Sequence, residues 1–535
     1  MLCSNIQPKA RHGMRMELAM NKSKWQTRKL SPLLYAAQGA LLCAMLAGCN
    51  VGPKYMPPAV TAPAAYKESP EQFKEAGDEA KGAWTVARPQ DAALRGNWWE
   101  IYNEPDLNAL EDQLNVDNQN ISQAFENFME ARAVVREVRS QLFPTVSVGP
   151  SYSRSQNSSN LGSGALASSQ SGGQAQTFSL PGEVSWEPDL WGKVRSQIRS
   201  SQYNAQVSAA DLALERLTEQ ASLAEYFFEI RGQDALQKIL DEAVSADKKS
   251  LDAEQGRYDT GVDDRISLVQ AQTALAGAQS AAINNKVARA QYEHAIAMLI
   301  GKPASSFSIA VVAKTTAPPP IPIGMPSQLL ERRPDVAAAE RTMASANAQI
   351  DVAFAAYFPT LTLSGSGGME SSAIGKLLAA SSRFWSVGPS LSETVYDGGL
   401  RRATVNQYIA TYNADLAAYR QSVLTAFQQV EDSLAVVRIL SDEVVRQQQA
   451  VDHASEYLKL EQARYDTGLD PYINLASAQI TFYSNEQALA GIQIQQMTAS
   501  VELIQALGGG WDKTQLPTPA QVTQKPAGAD TTIQH

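Results

Sequence analysis

Residues 251–273 read LDAEQGRYDTGVDDRISLVQAQT, and residues 458–480 read LKLEQARYDTGLDPYINLASAQI. The two segments are identical at 13 of 23 positions and are separated by a constant 207 residues. The same separation relates Gly192 to Gly399. A segment that recurs at a fixed distance marks a repeated structural unit, so we interpret the chain as a tandem duplication.

A second match places the boundaries of the repeats. Phe-Pro-Thr occurs at 143–145 and again at 358–360, now 215 residues apart. The eight-residue difference must lie between the two matches, where 155–173 is rich in Ser and Gly, and insertions of this kind are tolerated in exposed loops. We therefore expect a first repeat at 98–302, a Pro-rich linker at 303–328 and a second repeat at 329–510.

Each repeat contains two segments in which apolar and polar residues alternate. They lie within about 143–188 and about 358–396, and we expect each region to form a β-hairpin. Val146 and Val148 alternate with Ser and Gly, as do Trp385 and Val387. Alternation over about ten residues, with aromatic residues near the ends, is typical of transmembrane β-barrel strands, although the edge of a soluble sandwich would give the same pattern in any one strand.

Four strands are too few to close a barrel, because bacterial barrels have at least about eight. Open strand edges cannot stay in the hydrocarbon layer, where the unpaired backbone groups would find no partner. The sequence therefore predicts an oligomer that shares one barrel. Two, three or four copies would give 8, 12 or 16 strands, and the arithmetic alone does not choose among them.

Long helices are predicted for the remainder of each repeat. Residues 400–467 contain neither Gly nor Pro, and a continuous helix of this length would measure on the order of 100 Å. Apolar residues recur there every seven positions, which indicates coiled-coil packing; a plain coiled-coil stalk is the alternative. Each repeat should form a helical hairpin, with tips at about 258–264 and 465–472. The positions of the heptad are Val423, Val430, Val437, Val444, Val451, Leu458 and Tyr465.

The first 48 residues resemble an export signal, with basic residues followed by an apolar stretch at 33–46. This stretch ends in Leu-Ala-Gly-Cys, so we expect residues 1–48 to be a lipoprotein signal peptide and Cys49 to carry a covalent lipid. Removing them changes the net charge from −10 to −16, because they contain seven basic residues and one acidic residue. We expect 49–97 to be an acylated, extended segment and 511–535 to be a polar, disordered tail.

Other functional classes find little support in the sequence. The acidic balance argues against a nucleic-acid-binding protein. His294, His453 and His535 are far apart and none belongs to a metal-binding motif, so we expect neither an enzyme nor a cofactor other than the lipid. A secreted adhesin would explain the long helices but not the four alternating segments.

Motifs in a fixed order along 49–510 strongly resemble the outer-membrane efflux channel family typified by TolC, and within it the acylated OprM-like (NodT) branch. The motifs are Cys49-Asn-Val-Gly-Pro-Lys-Tyr55, Asn97-Trp-Trp99, Trp186-Glu-Pro-Asp-Leu-Trp-Gly192, Leu330-Glu-Arg-Arg-Pro-Asp-Val336 and the two Arg-Tyr-Asp-Thr-Gly turns.

This resemblance implies a mixed, mainly α fold with membrane β-structure. A homotrimer would form a 12-stranded outer-membrane β-barrel, with four strands from each chain, continuous with a long periplasmic α-helical barrel. It also implies the function of a passive exit duct for drugs or other small molecules. The duct would be anchored in outer-membrane lipid and would dock on a periplasmic adaptor and an inner-membrane pump of the resistance-nodulation-division type. A duct for type I protein secretion is the alternative.

The resemblance also assigns site residues at the periplasmic tips. The gate arginine corresponds to Arg464, the tip tyrosine to Tyr465 and the apolar constriction to Ile473. Ser477 stands where the family has a carboxylate, so we expect Asp470, with Asp263 and Asp264, to supply the negative charge; a helix N-terminal cap or first-turn acid is the alternative role of Asp470. The adaptor contacts correspond to Thr260, Gly261 and Val262, and to Thr467, Gly468 and Leu469.

Overall fold

The computed structural model describes most of the chain between Pro53 and Gln524, namely residues 53–58, 62–63, 65–68, 96–156, 174–314, 316–323 and 326–524. The predicted signal peptide at 1–48, the predicted lipid attachment at Cys49 and residues 525–535 lie outside these ranges.

The first repeat opens with a short 3-10 turn and then alternates helices with strands. Its elements are the turn Trp98–Tyr102, α1 Pro105–Asp117, α2 Gln119–Ser140, β1 Thr145–Val148, β2 Ser151–Gln156, β3 Gln174–Trp186, α3 Lys193–Asp259 and α4 Arg265–Leu299. The linker that follows contains one further 3-10 turn, Ala304–Ser306.

The second repeat has the same plan. Its elements are α5 Pro326–Arg332, α6 Pro334–Ala355, β4 Thr360–Ser371, the 3-10 turns Ile374–Lys376 and Ala380–Ser382, β5 Arg383–Ser392, α7 Leu400–Asp466 and α8 Tyr472–Ala506. The C-terminal segment adds the 3-10 turn Lys513–Gln515 and the short helix α9 Pro519–Thr523.

Corresponding helices of the two repeats have equal lengths. α2 and α6 have 22 residues each, α3 and α7 have 67, and α4 and α8 have 35. The 215-residue separation holds at both ends of the 22-residue pair, and the 207-residue separation holds at both ends of the later pairs. These equal lengths support the predicted duplication, and the continuous helix predicted between 400 and 467 is confirmed.

Two antiparallel hairpins form one sheet. β3 pairs with β1 and β2 on one side and with β4 on the other, and β4 pairs with β5. The first predicted strand is divided into β1 and β2 at Gly149-Pro150, because proline has no amide hydrogen to donate to a ladder. The four predicted strands are otherwise confirmed.

The register gives the sheet one apolar and one polar face. Val146, Val184, Gly365 and Val387 lie side by side across the strands, and the neighbouring row on the opposite face is Ser147, Glu183, Ser366 and Ser386. The apolar side chains are exposed in the single chain: Trp385 retains 82% and Val387 76% of its accessible surface. An exposed apolar surface of this extent indicates contact with lipid or protein.

The sheet is open at both edges. Among the described residues, neither the β1 and β2 edge nor the β5 edge pairs with a further strand. Unpaired backbone groups on a strand edge form a template for pairing with another chain. The edge strands thus present donors and acceptors beside the exposed apolar face.

Both long helices begin in the same way, just below the sheet. Gly192 and Gly399 precede α3 and α7 in the left-handed conformation, with φ of 79° and 94°. Asp189 accepts hydrogen bonds from the first-turn amides of α3, and Asp397 does the same for α7. A carboxylate at a helix N-terminus stabilises the unpaired amides, so each aspartate fixes the start of a rod about 100 Å long.

The core lies where the shorter helices pack on the long ones. One cluster joins the turn at Trp98 and helix α1 to α3, α4 and α8, and another joins α5 and α6 to α7 and α8. Of the predicted heptad, Val423, Val430, Val437, Val451 and Tyr465 are buried, whereas Val444 and Leu458 are half-buried. None of the helices in the described part of the chain is both long and apolar enough to cross a membrane.

The expectation of a disordered tail is wrong for residues 511–524. Thr518 and Gln521 form a reciprocal capping box at the start of α9. Val522 is fully buried against Val135 of α2 and Ala205 of α3. This short polar segment has no hydrophobic pattern of its own and is ordered by its contacts with α2 and α3. Its composition alone therefore indicated disorder.

Candidate functional site

The two helical hairpins end in turns of identical shape. Gly261 and Gly468 both have φ of 75°, and a Cβ atom at either position would meet no neighbour within 4 Å. Glycine is therefore required by backbone conformation, not by close packing. Thr260 and Thr467 donate their hydroxyls to carbonyl oxygens of the preceding turn, at 2.9 and 3.0 Å. The two turns lie between Asp259 and Arg265 and between Asp466 and Tyr472, within the predicted tip ranges 258–264 and 465–472.

An apolar side chain projects into solvent from each turn. Val262 is 74% exposed and Leu469, its equivalent 207 residues later, is 72% exposed. The hydroxyls of Thr260 and Thr467 already donate to carbonyl oxygens of their own helices. Each turn therefore presents an apolar side chain, Val262 or Leu469, to solvent.

Tyr465 joins the second hairpin to the first. Its hydroxyl donates to the carboxylate of Glu254 on α3. The guanidinium of Arg257, also on α3, lies 4.1 Å from the centre of the Tyr465 ring, and its Nη2 donates to the Tyr465 carbonyl oxygen over 3.0 Å. Only 3% of Tyr465 is exposed. The predicted tip tyrosine is therefore part of a link between hairpins; Glu254, Tyr465 and Arg257 are called the tip link below.

Burial affects both acidic partners of the tip link. Desolvation by burial, and then the carboxylate of Glu254, raise the pKa of Tyr465. Burial also raises the pKa of Glu254, while the hydrogen bond from Tyr465 acts in the opposite direction. One carboxylate oxygen of Glu254 finds no hydrogen-bond donor among the described residues. The hydroxyl of Tyr465 is thus a fixed donor to a carboxylate that has little other support.

Arg464 does not take part in the tip link. It pairs instead with Asp470 in the adjoining turn, with its Nη2 3.2 Å from Oδ1. The hydrogen bond from Arg464 lowers the pKa of Asp470, so this carboxylate is charged and paired within its own hairpin. Burial, and then Asp470, raise the pKa of the neighbouring Glu461.

The predicted carboxylates serve different purposes in the two turns. Asp264 is the N-cap of α4, where it accepts from the amides of Ile266 and Ser267 at 2.9 and 3.1 Å. Asp470 is not a cap, because the N-cap of α8 is Pro471. The capping alternative for Asp470 is therefore wrong, and the equivalent turns place their acids in unlike environments.

Ile473 and Ser477 lie on the outer face of α8. Ile473 is 51% exposed, and its equivalent in the first repeat, Ile266, is 65% exposed. Ser477 is also exposed. The opposite face of α8 is buried through Tyr472 and Leu475. The chain thus presents two isoleucines, one for each hairpin, at the level of the predicted constriction.

The sequence interpretation missed several residues on the buried side of the tips. The rings of Tyr465 and Tyr472 are 6.3 Å apart in a T-shaped arrangement. Gln479 donates to Ser250 of α3 over 3.1 Å, in a buried contact. Tyr472 replaces Arg265 of the first repeat, so comparison of the two repeats at the 207-residue separation would have identified this position.

The N-terminal segment follows the helices below the sheet. The carbonyl oxygen of Pro53 accepts from Asn347 of α6 over 3.2 Å, and the hydroxyl of Tyr55 donates to Glu340 over 2.5 Å. Further along, Glu431 of α7 accepts the backbone amides of Lys67 and Glu68 at 2.8 and 3.0 Å. The chain is therefore fixed to α6 beginning four residues after Cys49.

Comparison with known proteins accords with this architecture. The family model described as "Outer membrane efflux protein" matches residues 110–302 and 325–509. The toluene efflux pump outer membrane protein TtgC of Pseudomonas putida is 28% identical over 481 residues, which cover 88% of this chain and 95% of that protein. The outer membrane protein OprJ of Pseudomonas aeruginosa is 29% identical over 490 residues, covering 90% and 96%.

A solved structure shows the same fold. The outer-membrane channel OprN superimposes with a TM-score of 0.74 and 26% sequence identity, over 86% of this chain and 100% of that chain. The superposition covers the whole of the OprN chain, so the two proteins share one architecture.

Proposed function

This chain belongs to the outer membrane efflux protein family, and from that premise we propose that it is the outer-membrane channel of a tripartite efflux system of the resistance-nodulation-division type. It is a transport component of the outer membrane, with a large helical part in the periplasm. The observation that carries the proposal is the combination of a sheet with one exposed apolar face and helices about 100 Å long that continue from it.

Three copies are proposed to share the barrel. The open edges of the sheet support this, since β5 of one copy can pair with β1 and β2 of the next. Closure would turn the Val and Trp side chains toward lipid and the Ser-rich rows toward the lumen, as in barrels whose faces alternate. A polar, closed lumen suits a passive duct that conducts solutes without chemistry.

We propose that the periplasmic end is gated by the helical tips. The tip link holds α7 against α3, and the Arg464–Asp470 pair fixes the second turn. An adaptor that bound the exposed Val262 and Leu469 would gain apolar contact energy at the tips. Opening would require the tip link to break, because it is a direct connection between the two hairpins at that level.

The cargo is proposed to be small and organic. The named relatives include a toluene efflux pump component, and an inner-membrane pump is expected to choose the compound. A duct with a Ser-rich lining offers few specific contacts, which favours passage over selection.

We also propose that a lipid is attached at Cys49. The position of the segment that follows Cys49 supports this. Asn347, which holds Pro53, lies eight residues before the end of α6, or about 12 Å along the helix axis from that end, which leads into β4. The four residues back to Cys49 can span up to about 14 Å. A lipid on Cys49 could therefore reach the inner leaflet. Labelling with radioactive palmitate, lost in Cys49→Ala, tests this.

Two measurements test the proposed function together. Purified protein should insert into planar bilayers and give discrete conductance steps, and deletion of the gene should sensitise cells to some apolar toxic compounds. A protein that inserts but whose deletion leaves the sensitivity to a broad panel unchanged would contradict efflux while leaving the channel intact.

A further inference from the structure

The C-terminal segment lies in a groove between α2 and α3. Its only apolar anchor in α9, Val522, is fully buried between Val135 of α2 and Ala205 of α3, with Phe128 and Ala131 packed around them. A valine that inserts between two helices buries most of its apolar surface, which contributes favourably to holding the segment.

Polar side chains of both helices hold the backbone of this segment. Arg132 of α2 donates to the carbonyl oxygens of Gln521, Val522 and Gln524, at 3.2, 3.5 and 2.6 Å. These carbonyls belong to the C-terminal end of α9, where a cation also compensates the helix dipole. From α3, Gln206 donates to Pro517 over 2.8 Å.

The second repeat has the same groove, and the opposite end of the chain lies in it. The residue 215 positions after Arg132 is Asn347, which donates to the Pro53 carbonyl over 3.2 Å. Farther along the same segment, Glu431 of α7 accepts the backbone amides of Lys67 and Glu68. Equivalent positions of the two repeats thus hold the two ends of one chain.

The two segments run in opposite directions. In the C-terminal segment, Pro517 contacts Gln206 and the later Pro519 contacts Gln202, which is nearer to the start of α3 and hence to the sheet. The C-terminal segment therefore runs toward the sheet.

The N-terminal segment runs away from the sheet. Its Pro53 contacts Asn347 and the later Tyr55 contacts Glu340, which is farther from the sheet. The equivalent grooves therefore accept a chain segment in either direction, because both segments offer backbone carbonyl oxygens to side-chain donors of the helices.

We propose that the groove between α2 and α3 is a peptide-binding site, filled in cis by residues 517–524, and that it corresponds to the groove between α6 and α7 that holds the N-terminal segment. The occupant is a proline-containing segment with one short helix, one apolar anchor at Val522 and carbonyl oxygens that accept from Arg132 and Gln206. Its role is to cover the apolar seat at Val135 and Ala205 and to fix α2 against α3 below the sheet.

A chain that ends at Leu516 tests the proposal, with a chain that ends at Gln524 as the matched control. Both are purified as assembled protein in detergent. We expect the shorter chain to melt several degrees lower and the control to melt like the full chain. A synthetic peptide, LPTPAQVTQ (residues 516–524), should bind the shorter chain saturably and restore its melting temperature. The same peptide with Val522→Asp should do neither.

Point variants keep the test valid if the shorter chain fails to assemble. In the full chain, Arg132→Ala and Val522→Asp should each lower the melting temperature and expose 517–524 to protease, whereas Arg139→Ala, at an exposed position of the same helix, should not. Melting and protease resistance of both variants like those of the full chain would overturn the proposal. So would a folded shorter chain that binds the peptide no better than its Val522→Asp form. These readouts do not depend on transport.

Discussion

Arg257 lies over the ring of Tyr465 at 4.1 Å and donates to its carbonyl oxygen at 3.0 Å, so one arginine of the first hairpin holds a tyrosine of the second by two contacts. Its equivalent, Arg464, is occupied within its own hairpin by Asp470. The two arginines that the repeat makes equivalent in sequence therefore have different functions: Arg257 connects the hairpins and Arg464 shapes one turn.

Replacing Arg257 should loosen the periplasmic end. A cation–π contact is worth about 0.5–2 kcal/mol, so Arg257→Gln should shift the closed-to-open ratio by about 2- to 30-fold, before the lost hydrogen bond is counted. Single-channel recording in planar bilayers should show a higher open fraction. Lys249→Gln, at an exposed position of the same helix, serves as control. An unchanged open fraction in Arg257→Gln would contradict the role of the tip link.

Removing one hydroxyl should have a similar effect. Tyr465→Phe leaves the carboxylate of Glu254 buried without its donor, a loss of about 1–3 kcal/mol. We expect faster hydrogen exchange in the last turns of α3 and α7. Tyr258→Phe is the matched control, because Tyr258 is the equivalent residue and is 40% exposed. Equal exchange in the two variants would show that the hydroxyl does not hold the hairpins.

The charge of Asp470 should affect ion preference. Asp470→Ala should lower the preference for cations, measured as the reversal potential under a salt gradient, because carboxylates near a constriction favour cations. Arg464→Ala should raise that preference, since it frees Asp470 from its partner. If neither variant moves the reversal potential, Asp470 has no part in selectivity.

The free energy of unfolding should fall as the pH rises, because of the buried carboxyl group of Glu111. This side chain is fully buried on α1, and neither carboxylate oxygen finds a donor among the described residues. Burial raises its pKa well above 4.5, so the folded protein holds a proton that the unfolded chain releases. The stabilisation is complete below about pH 4.5. Above that pH, the free energy of unfolding falls by about 1.4 kcal/mol per pH until the pKa of the folded protein is reached.

Thermal melting between pH 5 and 8 checks this. Glu111→Gln should flatten the decline, and Glu126→Gln, on the exposed surface of α2, should leave it as it is. Part of the decline in stability with pH will remain in Glu111→Gln, because Glu225 also contributes to it. Burial and the neighbouring Glu502 and Glu229 raise the pKa of Glu225 to about 7. A Glu111→Gln profile as steep as that of the original protein would exclude Glu111 as the source.

Gly508 should tolerate no side chain. It has φ of 90°, and a Cβ atom would lie 2.1 Å from the carbonyl oxygen of Arg332. Gly508→Ala should destabilise the protein by at least about 1–3 kcal/mol from backbone strain alone. Gly491→Ala, inside α8 with no atom within 4 Å of the added Cβ, should instead stabilise it by about 0.5–1 kcal/mol. The comparison can be made by thermal melting of the two variants.

Much of the architecture could be predicted from local patterns. The bounds of α7 follow from 68 residues without Gly or Pro, and the strands follow from alternation that a pleated sheet requires. The turn glycines were identified because both copies of the repeat keep them. These features depend on residues close together in sequence, and each of them occurs twice along the chain.

The tip link could not be predicted in the same way. Glu254 and Glu461 are equivalent, as are Arg257 and Arg464, so local sequence offers no reason to choose one copy. Which copy forms the link depends on how the two hairpins pack against each other, and this packing is a long-range contact. That residues 511–524 are ordered could not be predicted for the same reason, since Val522 is buried by residues of α2 and α3.

The uninterrupted length of α3 and α7 has a mechanical consequence. Each helix acts as a lever about 100 Å long, held at its base by Asp189 or Asp397. α7 contains no glycine or proline at which it could hinge, and α3 contains only Gly232 and Gly256. A tilt of only about 2° at the base displaces the tip by roughly 3.5 Å, more than the length of a hydrogen bond. Small angular changes near the membrane can therefore break or form contacts at the far end.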